Sequence, residues 1–138
     1  MIIVDTGVIL AVADGSDADH DRSDDLLGGY PGRELLVPAT VIVESSWLIE
    51  DRLGPAAEAA FLRSFPAGEL TRVDLVDPDW QRAVELIETY ADLGLGLVDA
   101  SIVAVAERLG ITTLATLNHR DFTVVRPRHT DALELLPQ

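Results

Sequence analysis

The chain has 138 residues, 48% of them hydrophobic, no cysteine, and a formal net charge of −14 from 24 acidic and 10 basic residues. This length suits one domain, and the lack of cysteine excludes disulfides and thiolate metal sites. The acidity, with arginine as the only basic residue type, argues against nucleic-acid binding through overall charge. No segment has signal-peptide features or the roughly 20 apolar residues that span a bilayer, so we expect a soluble cytoplasmic protein with no membrane association.

Short apolar segments alternate with longer helical ones along the first half of the chain. The β-branched run at residues 2–4 predicts a strand buried on both faces, because such runs are typical of parallel sheets. Further predicted elements are helices to residue 13 and over 19–27, a strand over 35–37, and helices over 38–53 and 56–65. Gly54-Pro55 separates the last two helices, since glycine suits a helix end and proline cannot continue a helix.

The second half repeats this alternation. Asp77-Pro78 predicts a helix with Asp77 as its N-cap that ends at Gly94. Its apolar face is predicted to include Trp80, Ala83, Val84, Ile87 and Ala91. A helix over 98–109 closes at Gly110. Strands are predicted over residues 69–73, 111–115, 124–125 and 133–136. We therefore expect one α/β domain over residues 1–138, with a mostly parallel sheet of four to five strands flanked by helices.

Three acids fall where α/β proteins place their ligands, at strand ends and in early helical turns. Asp5 follows the first strand, Glu44 lies beside the inward stripe of its helix, and Asp99 lies in a first helical turn. Each has an ordinary alternative: Asp5 as a helix cap, Glu44 as a solvated side chain, and Asp99 as a complement to the helix dipole. Converging carboxylates without a lysine nearby would repel one another, so together they favour a divalent cation such as Mg²⁺ or Mn²⁺.

The ordered set of motifs resembles the PIN domain, with an arrangement similar to the VapC toxins of bacterial toxin–antitoxin pairs. The matching segments are Ile2-Ile3-Val4-Asp5-Thr6, Val37-Pro38 through Val43-Glu44, Leu97-Val98-Asp99-Ala100, and Leu114-Ala115-Thr116-Leu117-Asn118 with Asp121-Phe122. The resemblance implies a PIN-like three-layer sandwich and an endoribonuclease that uses Mg²⁺, with Mn²⁺ able to substitute. It implies that Asp5, Glu44 and Asp99 are catalytic metal ligands and that Thr6 supports the site.

Asn118 departs from the family pattern, which usually has a fourth acid at that position. Asn118 keeps an acceptor oxygen at the site without its charge, and Asp121, three residues later, is a candidate substitute ligand. Asp121 is equally consistent with a loop acid. This departure leaves an alternative function open, namely a catalytically weakened PIN domain that mainly binds an antitoxin or RNA.

The same resemblance implies a binding partner, a VapB-like antitoxin whose basic tail would complement the acidic charge of this chain. It also implies a homodimer. Arg120, Arg126 and Arg128 form a late basic group that could bind the RNA substrate, although solvated surface is an equal alternative. His20, His119 and His129 lack metal-ligand spacing, and we interpret them as solvent-facing residues.

Overall fold

The centre of the computed structural model, which describes residues 1–138, is a five-stranded sheet in which all neighbouring strands are parallel. The strands are β1 (Ile2–Val4), β2 (Leu35–Pro38), β3 (Thr71–Val73), β4 (Thr113–Ala115) and β5 (Glu134–Leu136). Their order is β3-β2-β1-β4-β5, so β1 is central and pairs through Ile3 with both Leu36 and Leu114. The prediction of a parallel sheet of four to five strands is confirmed.

Helices cover both faces of this sheet. They are α1 (Thr6–Ala13), α2 (His20–Gly28), α3 (Ala39–Leu53), α4 (Pro55–Arg63), α5 (Asp77–Thr89), α6 (Leu97–Leu109) and α7 (His119–Val124). The chain moves outward from β1 to β3 and then crosses β1 to reach β4 and β5. Right-handed crossovers in these two opposite directions place helices on opposite faces, which produces the three-layer sandwich. None of the helices combines the length and apolarity needed to cross a bilayer.

The hydrophobic core is built around β1 and α6. Every residue of β1 is at most 1% exposed, and residues 100–106 of α6 are all buried. All three residues of β1 and five of these α6 residues belong to one cluster of 25 buried apolar side chains, so β1 and α6 form a rigid frame at the centre of the domain. Glycines with positive φ end α3 at Gly54 and α6 at Gly110, as the sequence predicts.

The prediction of a strand at residues 124–125 is wrong, because Val124 is the last residue of α7. The Asn118 side chain caps this helix by accepting a hydrogen bond from the Asp121 N–H. Phe122, 1% exposed, anchors the helix in the core. The cap and this buried ring outweigh the strand preference of two adjacent valines.

The predicted face of α5 is partly wrong, and so are its predicted N-cap and its predicted end. Val76 is the N-cap residue, and its N–H donates to the Asp79 carboxylate at 3.0 Å. Of the predicted face, Ala83 is buried and Ile87 packs against the core, whereas Trp80 and Val84 are exposed. An ion pair between Asp79 and Arg108 of α6 at 3.0 Å sets the rotation of α5 on α6. The helix ends at Thr89, and a separate 3₁₀ turn follows at Ala91–Leu93.

Candidate active site

Asp5 lies at the end of β1 and is only 6% exposed. Its backbone N–H donates to the carbonyl of Ala115, so its position is set by the pairing of β1 with β4. The Thr6 N–H donates to Asp5 Oδ1 at 2.7 Å, which makes Asp5 the N-cap of α1. The Thr116 hydroxyl donates to the other oxygen, Oδ2, at 2.8 Å. Asp5 is therefore both the N-cap of α1 and a buried carboxylate at the edge of the sheet.

Glu44 and Asp99 come from two helices that are linked at their first turns. Glu44 is half-buried in α3, and Asp99 is half-buried at the start of α6. Thr40 Oγ1 and Ser101 Oγ lie 2.5 Å apart. Because the Ser101 hydroxyl donates to the Val98 carbonyl at 2.7 Å, Thr40 is the donor of this bond. The Thr40–Ser101 bond thus joins the helical turns from which Glu44 and Asp99 project.

Asp121 lies in the first turn of α7, held by its neighbours. The Asn118 side-chain amide donates to Asp121 Oδ2 at 3.1 Å, and Arg120 Nε donates to Oδ1 at 3.1 Å. These contacts, the Asn118 hydrogen bond first, hold the pKa of Asp121 below its usual 3.8. Asn118 therefore orients a carboxylate three residues later in the chain.

The carboxylates of these four elements share one electrostatic environment. We call Asp5, Glu44, Asp99 and Asp121 the acidic cluster. Burial, followed by repulsion from the other three carboxylates, raises the pKa of Asp99 from 3.8 to about 7. Burial also raises the pKa of Asp5, with repulsion from Glu44 adding to this effect and hydrogen bonds from Thr116 and Thr6 opposing it. The structure thus brings together all four acids that the sequence singled out.

The donor chemistry of the acidic cluster fits a hard divalent cation. No arginine forms an ion pair with Asp5, Glu44 or Asp99, and the buried Thr6 hydroxyl oxygen has no hydrogen-bond partner. As these side chains are oriented, no three acidic or histidine residues form a complete ligand set for one ion. The residues therefore supply the oxygen ligands and unbalanced negative charge that Mg²⁺ or Mn²⁺ favours, and ligation requires the side chains to close together.

The three late arginines do not form one group. Arg120 lies beside the acidic cluster through its contact with Asp121. The Arg126 guanidinium donates to the Thr123 carbonyl of α7 at 2.6 Å. Arg128 pairs with Glu85 of α5 at 2.7 Å, and its N–H donates to Glu107 of α6. Arg126 and Arg128 line one polar depression, whereas Arg120 lies apart from them at the acidic cluster, because the chain after α7 runs along α5 and α6.

The interpretation of the histidines as solvent-facing is wrong. Ring nitrogens of His119, His129 and His20 lie 2.9, 2.7 and 2.7 Å from the carbonyl oxygens of Thr116, Ile111 and Ala11, respectively. All three side chains are half-buried, and each therefore satisfies a backbone acceptor at the end of a strand, helix or loop.

Thr116, Thr40 and Ser101 are site residues that the sequence analysis missed. Their hydroxyls orient Asp5 or join the helices of Glu44 and Asp99. Thr116 lies in the segment Leu114-Ala115-Thr116-Leu117-Asn118 that resembles the PIN domain, and its position directly after the apolar strand β4 was a further signal. A threonine at a strand end is too common to identify its partner 111 residues away.

Comparison with known proteins agrees with this architecture. The sequence model of the family described as "PIN domain" matches residues 2–126, which is most of the chain. The chain belongs to the PIN-domain family. All members of the acidic cluster lie within the matched part of this PIN domain, whereas β5 lies beyond it. The predicted family membership and PIN-like sandwich are confirmed.

The PIN domain is similar along nearly its whole length to bacterial VapC proteins. It is 29% identical to Ribonuclease VapC26 of Mycobacterium tuberculosis over 126 residues, 91% of this chain and 93% of that protein. The crystal structure of Mycobacterium tuberculosis VapC20, described as a sarcin-ricin loop cleaving toxin, matches with a TM-score of 0.76 at 22% identity, covering 83% of this chain and 87% of that one. VapBC2 from Rickettsia felis, bound to a promoter DNA fragment, matches with a TM-score of 0.68 at 18% identity, covering 98% and 97%.

Proposed function

We propose that this PIN domain is a metal-dependent endoribonuclease and the toxin of a bacterial type II toxin–antitoxin pair. The observation that carries the proposal is the acidic cluster at the sheet edge, in which burial, followed by charge repulsion, raises the pKa of Asp99 to about 7. Such a perturbed group among other acids is typical of a functional site. The similarity to a protein named as a ribonuclease, at 29% identity over most of both chains, supports RNA as the substrate.

The acidic cluster would hold Mg²⁺, with Mn²⁺ as a substitute, and Thr6 offers an additional oxygen beside it. When bound, such a cation acidifies a water molecule and offsets negative charge on the attacked phosphate. Glu44 makes no hydrogen bond or ion pair with another residue, so its carboxylate is free to accept the proton of the attacking water. Arg120, 82% exposed at its side chain, is the arginine placed to bind an RNA phosphate beside the cluster.

A catalytically weakened binding module is the less favoured function. This alternative rests on Asn118, which brings no charge to a position where the family usually has a fourth acid. Asp121 contributes to the raised pKa of Asp99, and Asn118 orients Asp121 through two hydrogen bonds. The cluster therefore has a fourth carboxylate, supplied from the first turn of α7.

The proposal predicts that the purified protein cleaves single-stranded RNA when Mg²⁺ or Mn²⁺ is present. Excess EDTA should abolish cleavage, and Asp5→Asn should lower its rate by at least about 100-fold, because Asp5 is both a ligand and the most buried acid of the cluster. The cleavage rate is measured on gels, by incubating RNA with protein purified free of antitoxin. The exposed acid Asp92, changed to asparagine, is the matched control. Cleavage that survives both EDTA and Asp5→Asn would contradict the proposal.

We also propose an antitoxin partner with a basic tail, in keeping with the net charge of −14 and with VapBC complexes among the structural neighbours. An apolar groove of about 700 Å³ lies between α1, α2 and α4. Its lining includes Ile9, Leu27, Tyr30, Phe61 and Leu70, with Asp24 and Glu69 as its acidic members. An amphipathic antitoxin segment with apolar anchors and basic flanks would complement this composition.

Changing Leu70 to arginine should weaken antitoxin binding by at least about tenfold, because a charged side chain then occupies the apolar groove. RNA cleavage by the free protein should stay unchanged, since Leu70 is outside the acidic cluster. Calorimetric titration with the product of the neighbouring reading frame tests this, with exposed Leu109→Arg as the control. Equal affinity of both variants would argue against this groove as the antitoxin site.

A homodimer in the cytoplasm completes the proposal. Val43 and Trp47 of α3 and Leu62 of α4 are exposed, and together they leave an apolar patch outside the groove. Contiguous apolar surface of this kind favours association with another protein surface. A second copy of the chain is the partner that we assign to this patch.

A further inference from the structure

Every polar atom of Thr116 takes part in a hydrogen bond. It is 0% exposed and directly follows β4. Its backbone N–H donates to the Leu136 carbonyl at 2.8 Å, and its own carbonyl lies 2.9 Å from the ring Nε2 of His119. β5 and α7 therefore hold this residue from two sides.

The direction of the Thr116 hydroxyl is fixed by its neighbours. The backbone N–H of Asn118 donates to Thr116 Oγ1 at 3.0 Å and so occupies the hydroxyl as an acceptor. The Thr116 proton is then directed to Asp5 Oδ2, a carboxylate oxygen that can only accept, at 2.8 Å. This forms a short relay from the Asn118 backbone to the first acid of the cluster.

The two oxygens of Asp5 are held from different parts of the chain. Oδ1 accepts from the Thr6 N–H, and Oδ2 accepts from Thr116. The terminal torsion of an aspartate side chain is broad, so a single hydrogen bond leaves the carboxylate plane free to turn. The second bond fixes the plane of the carboxylate relative to the rest of the acidic cluster.

We infer that Thr116 is a positioning residue that fixes the orientation of the Asp5 carboxylate for metal binding. This inference rests on the proposed metal-dependent ribonuclease function. Hydrogen bonds to ligands commonly control metal affinity and activity, because they set the ligand before the ion arrives. Thr116 acts through Asp5 and is not itself assigned a contact with metal or RNA.

The test compares Thr116→Val, which replaces the hydroxyl by a methyl group of similar size, with Thr116→Ser, which keeps it. We expect Thr116→Val to lower Mn²⁺ affinity and kcat by about 10- to 100-fold, with little change in KM for RNA. Thr116→Ser should stay within about threefold of wild type. Thr113→Val, in β4 three residues before Thr116, is the control and should match wild type. Calorimetric Mn²⁺ titration and single-strand RNA cleavage give the two readouts, and thermal unfolding verifies folding.

Wild-type Mn²⁺ affinity in a folded Thr116→Val variant would overturn the inference, as would an equal loss in Thr116→Val and Thr116→Ser. If the valine variant does not fold, Thr116→Ala, which leaves space for water, is measured against Thr116→Ser in the same way. The Mn²⁺ titration does not depend on RNA cleavage. A wild-type protein that binds Mn²⁺ but cleaves no RNA would therefore contradict the ribonuclease function while leaving the role of Thr116 to be decided by metal affinity.

Discussion

Asp99→Asn is expected to unfold at a higher temperature than the wild-type protein at pH 8 without metal, and this difference should shrink towards zero as the pH is lowered to about 4. The pKa of Asp99 is about 7 in the folded protein because of burial and the three other carboxylates, against an ordinary value of 3.8. The folded state therefore binds the Asp99 proton more tightly than the unfolded state. Folding stability falls as pH rises from about 4 to about 7, and the loss is complete above that window.

The size of this effect is set by the partial exposure of Asp99. Solvent screening reduces the cost of its charge, so we expect a gain of about 1 kcal/mol for Asp99→Asn at pH 8. For a domain of this length, that corresponds to about 4 °C in melting temperature. Circular dichroism melts of the metal-free proteins measure the difference. Asp92→Asn, at an exposed acid outside the cluster, should show no such pH-dependent gain.

Metal should reverse the order of stability. With saturating Mn²⁺ at pH 8, the melting temperature of wild type should rise and that of Asp99→Asn should rise little, because the variant lacks a charged ligand.

RNA cleavage by wild type should rise through about pH 7 as Asp99 loses its proton, since a protonated carboxyl is a poor ligand. The variant should cleave at least about 100-fold more slowly. A variant that is less stable than wild type at pH 8 without metal would refute the repulsion argument.

Gly32→Ala is expected to destabilise the protein by about 3 kcal/mol. A Cβ atom at Gly32 would lie 1.9 Å from the Gly68 carbonyl oxygen and 2.8 Å from the Glu69 carbonyl group. Both obstacles are backbone atoms, which no side-chain rotation can move. The Gly32 carbonyl also accepts a hydrogen bond from the Thr71 hydroxyl at 2.8 Å, so a backbone shift would disturb β3 as well.

The matched control is Gly28→Ala at the end of α2, where an added Cβ meets no atom within 4 Å. This substitution should be neutral or stabilising by up to about 1 kcal/mol, because alanine restricts the unfolded chain. Urea unfolding of the two variants gives the comparison. The midpoint of Gly32→Ala should lie below the wild-type value, and that of Gly28→Ala should lie at or above it. Gly32 also lines the apolar groove, so Gly32→Ala should weaken antitoxin binding. Equal stability of the two variants would contradict this prediction, because the backbone of Gly68 and Glu69 would then accommodate a Cβ atom at Gly32 with no loss in free energy of unfolding.

Local chemistry was sufficient for the elements that the sequence predicted correctly. The β-branched run of β1, the glycines that end α3 and α6, and the acid directly after β1 act within a few residues of themselves. The separate tendency of each acid to lie at a strand end or in an early turn was also visible. Their convergence was predicted from the edge of an α/β sheet that these positions share, and the shared effect on the pKa of Asp99 supports it.

The wrong predictions all involved competition between local preference and tertiary contacts. Two valines favoured a strand at residues 124–125, but the buried ring of Phe122 and the Asn118 cap favour a helix there. The apolar spacing of α5 placed Trp80 inward, whereas the buried ion pair between Asp79 and Arg108 turns that side outward. The Asp79–Arg108 pair joins residues 29 positions apart, and the burial of Phe122 depends on core shape, so no local window contains either of them. The Asn118 cap, by contrast, is local to α7.

The sequence by itself determined that this is a single acidic α/β chain with carboxylates at the right places for a hard cation, because periodicity, turn residues and charge are properties of short segments. Only the tertiary structure decided how those acids are held. It made Thr116 the partner of Asp5 and Thr40 the link between the helices of Glu44 and Asp99. Both bonds depend on strand order and helix packing, since they join residues 111 and 61 positions apart that come together only when the core forms.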